Sequence, residues 1–338
     1  MSVARLDEAP LGVAVDWPNS AEQNDNPGQR CALPAPTWWR NHEIGPPARG
    51  RYTDTWAVPI VRAFTLIMQQ RPSYAQGIRR PTAQPAKIDG LAPATLVTLY
   101  SMRIQVLPTP EIAAERAAEW LRTEIGRASA QRGRCLVALS GGRTPWRMLR
   151  DLHRLRVHWH DLQVFQVDER VVAENDERRN ARQIADLLVA PAMLRAAQFH
   201  AMPVERSDLE AGAEEYARLL SEHGGTPPVL DVVQLGIGAD GHTASLVPGD
   251  RLLKAHDRDV GISVPYQGVI RMTLTFRVLD AARHRLWLIT GADKAAALRQ
   301  LWLGDTSVPA GRVVRESAFV FTDSAAAIEL PAEIRSPH

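Results

Sequence analysis

Lysine is nearly absent from this chain. Lys87, Lys254 and Lys294 are the only three among 40 basic side chains, and arginine supplies the rest, a usage bias that carries no mechanism. The formal net charge is only +2, so the balance gives no push toward nucleic acid or an anionic membrane surface. Cysteine is equally scarce. Cys31 and Cys135 have no metal-ligand spacing and cannot build a disulfide framework, and Cys135, inside an apolar run, reads as a small core residue. Long apolar runs are missing too. The most apolar early stretch, Trp56 to Met68, is too short to span a bilayer and contains Pro59 and Arg62. The first residues include Arg5, Asp7 and Glu8 with no apolar core after them, which is not a secretory signal. The expectation is a cytoplasmic protein with no membrane and no nucleic-acid partner.

What is present divides unevenly. The 338 residues suffice for one large domain or two ordinary ones, and 45% are hydrophobic, as in globular proteins. Residues 1–101 hold 12 of the 24 prolines and four of the nine tryptophans, too much proline for long helices or central strands. They read as a Pro-rich, poorly ordered extension, or as sequence upstream of a natural start at Met102. A binding arm built on Trp38 and Trp39 is the alternative. No helix-turn-helix pattern is visible there.

Residues 102–338 read as the functional domain. Arg103 to Leu107, Arg134 to Leu139, Leu162 to Val167, Val229 to Leu235, Arg285 to Ile289 and Phe319 to Phe321 read as strands. Helices are expected after Thr109-Pro110, from about Pro145, over Asn180 to Val189, over Leu209 to Glu222 and over Ala292 to Leu303. Strands alternating with helices predict an α/β fold with a mostly parallel sheet and helices on both faces.

Three loops carry the chemistry. After one apolar strand comes Ser140-Gly141-Gly142-Arg143-Thr144-Pro145, whose exposed N–H groups at a helix N-terminus suit a phosphate. It is not a Walker motif, because the Gly-Lys-Ser/Thr ending is missing. After another comes Asp168-Glu169-Arg170, with Asn180 downstream. The preceding apolar strand aims these charges at the ligand edge of the sheet, with Glu169 the structural member. The third and most informative runs Leu235-Gly-Ile-Gly-Ala-Asp-Gly-His-Thr-Ala-Ser-Leu246, three glycines around Asp240 and His242. The acid stands close enough to orient the imidazole. Thr243 and Ser245 are expected to open a helix. His153, His158, His160, His223, His256 and His284 lack such a setting and read as ordinary solvated or core histidines. Arg271 and Lys294 each lie near a strand end. Lys294, in the first turn of a helix, is placed where the dipole slightly disfavours a cation and a bound phosphate would offset that; a solvated surface lysine is the alternative.

These motifs together resemble the 6-phosphogluconolactonase family: Gly141-Gly142-Arg143-Thr144-Pro145, Asp168-Glu169-Arg170 with Asn180, Gly238-Ala-Asp-Gly-His-Thr-Ala-Ser-Leu246, Arg271-Met-Thr-Leu-Thr and Gly291-Ala-Asp-Lys294. The likeness runs from about Met102 to the C-terminus. It departs from the family at Ala173, Arg179 and Val247. The resemblance implies a sugar-phosphate isomerase-like fold, no metal or organic cofactor, and hydrolysis of 6-phospho-D-glucono-1,5-lactone to 6-phospho-D-gluconate in the oxidative pentose phosphate pathway. It implies His242 as general base, oriented by Asp240, with Asp168 and Arg170 beside it. Arg170 or a backbone N–H would face the oxyanion. Gly141, Gly142, Arg143, Thr144, Asn180, Arg271 and Lys294 would hold the substrate and its phosphate. The small molecule is the one partner expected, with the chain a monomer or weak homodimer.

Two other readings share the fold. A glucosamine-6-phosphate deaminase uses an acid shortly after the histidine, where this chain has Leu246-Val247-Pro248, and usually carries Tyr where Arg170 stands. A non-catalytic sugar-phosphate-binding regulator would need a DNA-binding helix-turn-helix before the domain.

Overall fold

A computed structural model describes residues 102–191 and 193–335. The expectations for residues 1–101 lie outside the described residues. The order begins β1 (Arg103–Leu107), α1 (Pro110–Arg132), β2 (Cys135–Leu139), α2 (Arg143–Arg154), β3 (Leu162–Gln166), β4 (Asp168–Arg170), α3 (Asn180–Ile184) and β5 (Phe199–His200). It continues with α4 (Leu209–Gly224), β6 (Val232–Leu235), β7 (Val260–Ile262), β8 (Arg271–Leu274) and α5 (Phe276–Ala281). Then follow β9 (His284–Ile289), α6 (Ala295–Leu303), α7 (Pro309–Arg312), β10 (Ala318–Asp323) and α8 (Ala332–Arg335).

Seven strands form one sheet in the order β1-β10-β9-β6-β2-β3-β5, and every neighbouring pair is parallel. All five β2 residues are buried, as a strand covered on both faces requires. Leu136 and Ala138 join a core with Tyr216 of α4 and Leu298 of α6. On the other face, Trp120 of α1 packs against Phe319 and Phe321 of β10. Helices therefore cover both faces.

Local chemistry sets the helix ends. Thr109 caps α1 by accepting from the Ile112 N–H at 3.4 Å, Pro110 takes the first turn, and Gly133 closes the helix at φ 70°. Asp208 caps α4 by accepting from the Ala211 N–H at 3.0 Å. The helix expected over Asn180 to Val189 is composite, because α3 gives way to a π-helical turn over Ala185–Val189.

The chain runs from β2 outward to β3 on one side and returns to β6 on the other. The strand order therefore reverses between β2 and β6, where open parallel sheets bind ligands beyond their C-terminal ends. Ser140 stitches this point. Its N–H donates to Gln234 Oε1 at 3.1 Å and its Oγ donates to the Gln234 carbonyl at 2.9 Å.

A second sheet was not expected. β4, β8 and β7 form an antiparallel sheet in the order β4-β8-β7. Asp168-Glu169-Arg170 is thus a strand, not a loop, and Arg170 pairs directly opposite Arg271. Thr243 to Ser245 does not open a helix either. Ala244 takes a left-handed φ of 52°, and Thr243 and Leu246 form an isolated bridge. Among the described residues no helix is long and apolar enough to cross a membrane.

Candidate active site

The ends of β2, β6 and β9 in the large sheet and of β4 and β8 in the small one surround a cavity of about 290 Å³. That lies near the low end of the roughly 300–1,000 Å³ typical of small-molecule sites, a size for a single sugar ring with its substituent. Gly141, Gly142, Arg143 and Thr144 form one wall, Asp168, Arg170 and Arg271 a second, and His242 and Lys294 the remainder. Two predicted residues stand off the wall. Asp240 lies behind the His242 ring, and Asn180 lies behind Gly141 in an adjoining groove.

The β6 loop is a tight cup around the imidazole. Gly238 donates its N–H to the His242 carbonyl at 2.8 Å and accepts from the Gly241 N–H at 3.0 Å. A β-carbon on Gly238 would lie 2.0 Å from His242 Nδ1 and 2.4 Å from Asp240 Oδ1, so only glycine lets the ring and the acid close over the turn. Gly241 has φ 79° and would drive a β-carbon to 2.5 Å from Val308.

His242 Nδ1 is 2.6 Å from Asp240 Oδ1. A carboxylate can only accept, so Nδ1 carries a proton, and in the neutral imidazole the lone pair is on Nε2. Asp240 also accepts from the His242 N–H at 3.2 Å and from the Tyr266 hydroxyl at 3.0 Å. Burial pushes the Asp240 carboxyl up, but its hydrogen bonds and charge interaction with His242, aided by Tyr266, outweigh this and hold it below the usual carboxylate range. No Ser, Thr or Cys hydrogen-bonds the His242 ring among the described residues. The Ser140 hydroxyl on the cavity wall is committed to the Gln234 carbonyl.

The second wall concentrates positive charge. Arg170 and Arg271 face one another across the β4–β8 ladder, where like charges destabilise a sheet. The Nε atoms of both are buried and find no hydrogen-bond partner among the described residues. Burial pushes the Arg271 guanidinium down, Asp168 pulls it back up, and Arg170 lowers it further. An anion in the cavity would relieve the repulsion. Asn180 accepts from Arg170 Nη1 at 2.7 Å and donates Nδ2 to the Asp168 carbonyl at 3.0 Å. A β-carbon on Gly141 would lie 1.7 Å from Asn180 Oδ1, so Gly141 is the residue that lets Asn180 reach Arg170. Asp168 Oδ2 accepts from Ser245 Oγ at 2.6 Å, tying the small sheet to the histidine loop.

Glu169 points away from the cavity and is fully buried. It accepts from the N–H groups of Asn180 and Ala181 at 2.9 and 2.7 Å, and its Oε2 lies 3.3 Å from Arg179 Nε. Arg179, one of the departures from the family pattern, is thus a buried counter-ion that also pairs with Glu205.

The first wall offers backbone donors. No side chain caps α2, leaving the N–H groups of its first turn open toward the cavity. Thr144 Oγ1 lies 3.1 Å from Thr290 Oγ1 and joins this turn to the loop after β9. Lys294 ends a short 3-10 turn ahead of α6, and its Nζ lies 3.1 Å from Asp293. Sequence reasoning missed Tyr266, Thr290 and Asp293, and read Ser245 only as a helix cap or a substrate contact. Asp293 and Ser245 sat inside quoted motifs, whereas Tyr266 lies in a turn with no motif around it. Among the described residues no cluster of three or more His, Cys, Asp or Glu is placed to hold a metal ion.

Comparison with known proteins fits this geometry. Residues 108–321 match the family model described as glucosamine-6-phosphate isomerases/6-phosphogluconolactonase. The 6-phosphogluconolactonase of Streptomyces coelicolor is 35% identical over 245 residues, 67% of this chain and 94% of that protein. The solved structure of 6-phosphogluconolactonase from Trypanosoma brucei superposes with a TM-score of 0.61 at 25% identity, covering 69% of this chain and 100% of that one. A monomeric glucosamine-6-phosphate deaminase superposes with a TM-score of 0.60 at 20% identity, covering 68% and 100%, and shares the fold alone.

Proposed function

The chain belongs to the glucosamine-6-phosphate isomerase/6-phosphogluconolactonase family, and within that family we propose that it is the lactonase, hydrolysing 6-phospho-D-glucono-1,5-lactone to 6-phospho-D-gluconate. The observation that carries this reading is the setting of His242: one imidazole, oriented by one carboxylate, with no side-chain nucleophile on it. A lactone is an activated ester, and water can attack it directly when a base stands ready.

His242 Nε2 takes a proton from water as the water oxygen bonds to C1. The C1–O5 bond then breaks, and the imidazolium returns the proton to O5 as the ring opens. Arg170, fixed by Asn180, faces the developing oxyanion, and Asp168 offsets its repulsion from Arg271. Arg271, Lys294, Arg143 and the open N-terminus of α2 take the phosphate, whose binding energy fixes the ring over the base.

The deaminase chemistry fits less well. Positions 243–248 carry no carboxylate, and Asp168 on the cavity wall is already bonded to Ser245. The test supplies the lactone by oxidising glucose 6-phosphate in the cuvette and follows its hydrolysis above the spontaneous rate. A parallel incubation with glucosamine 6-phosphate is assayed for ammonia. Ammonia release without lactone hydrolysis would overturn the proposal in favour of the deaminase.

A further inference from the structure

Tyr266 touches both halves of the site without lining the cavity. It lies in the link between β7 and β8, in a turn whose tip, Gln267-Gly268, takes φ of 51° and 75°. Tyr266 and Val269 close that turn with reciprocal backbone hydrogen bonds of 3.0 and 3.2 Å. Its hydroxyl donates to Asp240 Oδ2 at 3.0 Å and lies 3.4 Å from His242 Nδ1. Its ring tilts against the imidazole, with centroids 5.1 Å apart. The Arg271 guanidinium stands over the same ring at 5.1 Å, within the range of a cation–π contact.

We propose that Tyr266 is a positioning residue that locks the Asp240–His242 pair through its hydroxyl and steadies the anion-holding Arg271 through its ring. This rests on the reading of His242 as the base. Asp240 is held on one side by its own loop and on the other by this hydroxyl alone among the described side chains of the small sheet. Without that second hold only Oδ1 stays bonded, to the N–H and ring of His242, so the carboxylate can swing about that oxygen and the Nδ1–H it fixes loses part of its direction. The hydroxyl also helps to keep the Asp240 carboxyl below its ordinary range. The two functions sit on different atoms of one side chain, so they separate by substitution.

Tyr266→Phe removes the hydroxyl and keeps the ring. Tyr266→Leu removes both. The side chain is half-buried on a surface turn, so either variant should fold, which thermal unfolding checks. A hydrogen bond to a charged group is worth enough that Tyr266→Phe should lower kcat about 10-fold while KM stays within about 2-fold. The downfield Nδ1–H proton resonance of His242, assigned by its loss in His242→Asn, should shift in the same variant. Tyr266→Leu should lower kcat at least as far and also raise KM several-fold, because Arg271 loses its platform. A Tyr266→Phe enzyme with unchanged kcat and an unmoved resonance overturns the proposal, provided His242→Asn is inactive in the same assay. If His242→Asn stays active, it is the reading of the base that falls, and the resonance shift alone then decides whether Tyr266 positions the pair.

Discussion

Replacing His242 by Asn isolates the proposed base from its surroundings. The Asn amide nitrogen sits near the place of Nδ1 and can donate to Asp240 Oδ1, now 2.6 Å from the ring. The bonds from the Gly238 N–H to the residue 242 carbonyl and from the 242 N–H to the Asp240 carboxylate use only main-chain atoms of residue 242 and persist. What disappears is Nε2. Loss of a general base typically costs about 10² to 10⁴ in rate, or about 2.7–5.4 kcal/mol of transition-state stabilisation at 1.36 kcal/mol per tenfold. That loss should fall on kcat, because the anion-holding wall of Arg271, Lys294 and the α2 N-terminus is untouched. The assay generates the lactone enzymatically at fixed pH and subtracts the uncatalysed hydrolysis measured without enzyme. Binding of 6-phosphogluconate, read by calorimetry, should stay within about 3-fold of wild type. A His242→Asn enzyme within 5-fold (about 1 kcal/mol) of wild-type kcat would refute the argument, since a rate so little changed cannot have depended on proton removal by Nε2.

Three further outcomes are expected. Lys294→Ala should raise KM about 10-fold or more with a smaller change in kcat, because a phosphate contact remote from C1 is shared by ground and transition states; steady-state kinetics with the reverse pattern would move Lys294 to the reacting carbon. Gly238→Ala should lower activity at least about 10²-fold, because its β-carbon would meet His242 Nδ1 at 2.0 Å and displace the base; full activity with an unchanged melting temperature would contradict the geometry of the cup. His200 should make stability fall with acid. Burial, reinforced by His223, pushes its imidazole down to about 4 from an ordinary value of 6.5. The unfolded chain therefore takes up a proton that the folded one refuses. The melting temperature should be flat in this respect above about pH 6.5 and fall as pH drops toward 4, and His200→Gln should flatten that fall.

Much of the large sheet was readable because its signals are local. Cys135–Leu139 is an unbroken apolar run that ends at Ser140-Gly141-Gly142, and Val232–Leu235 ends at the glycines around His242. Each pattern announces a buried strand and the loop it delivers. β4 gave no such signal. Asp168-Glu169-Arg170 carries three charges and no alternation, and it is a strand because β8 pairs with it and because Glu169 is buried against helix N–H groups and Arg179. Its ladder partner β8 lies far along the chain. Thr243 to Ser245 looked like a helix start because Thr and Ser are good caps. Ser245 spends its hydroxyl on Asp168 instead, 77 residues away. Tyr266 was invisible for the same reason, since its partners Asp240 and Arg271 meet it only in the fold.

The site straddles two sheets of unequal strength, which sets how the enzyme would fail. The histidine loop and the α2 N-terminus grow from β6 and β2, interior strands of the seven-stranded sheet that are buried along their whole length. Asp168, Arg170 and Arg271 ride on a ladder of strands only three, three and four residues long. Yet Val260, Ile262, Met272 and Leu274 of that ladder are buried in the same core as Leu136 and Ala138 of the large sheet, so the ladder cannot open without exposing that core. On warming or in mild denaturant, activity and the bulk fold should then be lost together. A substitution that loosens the short ladder should lower the melting point of the domain along with its working range.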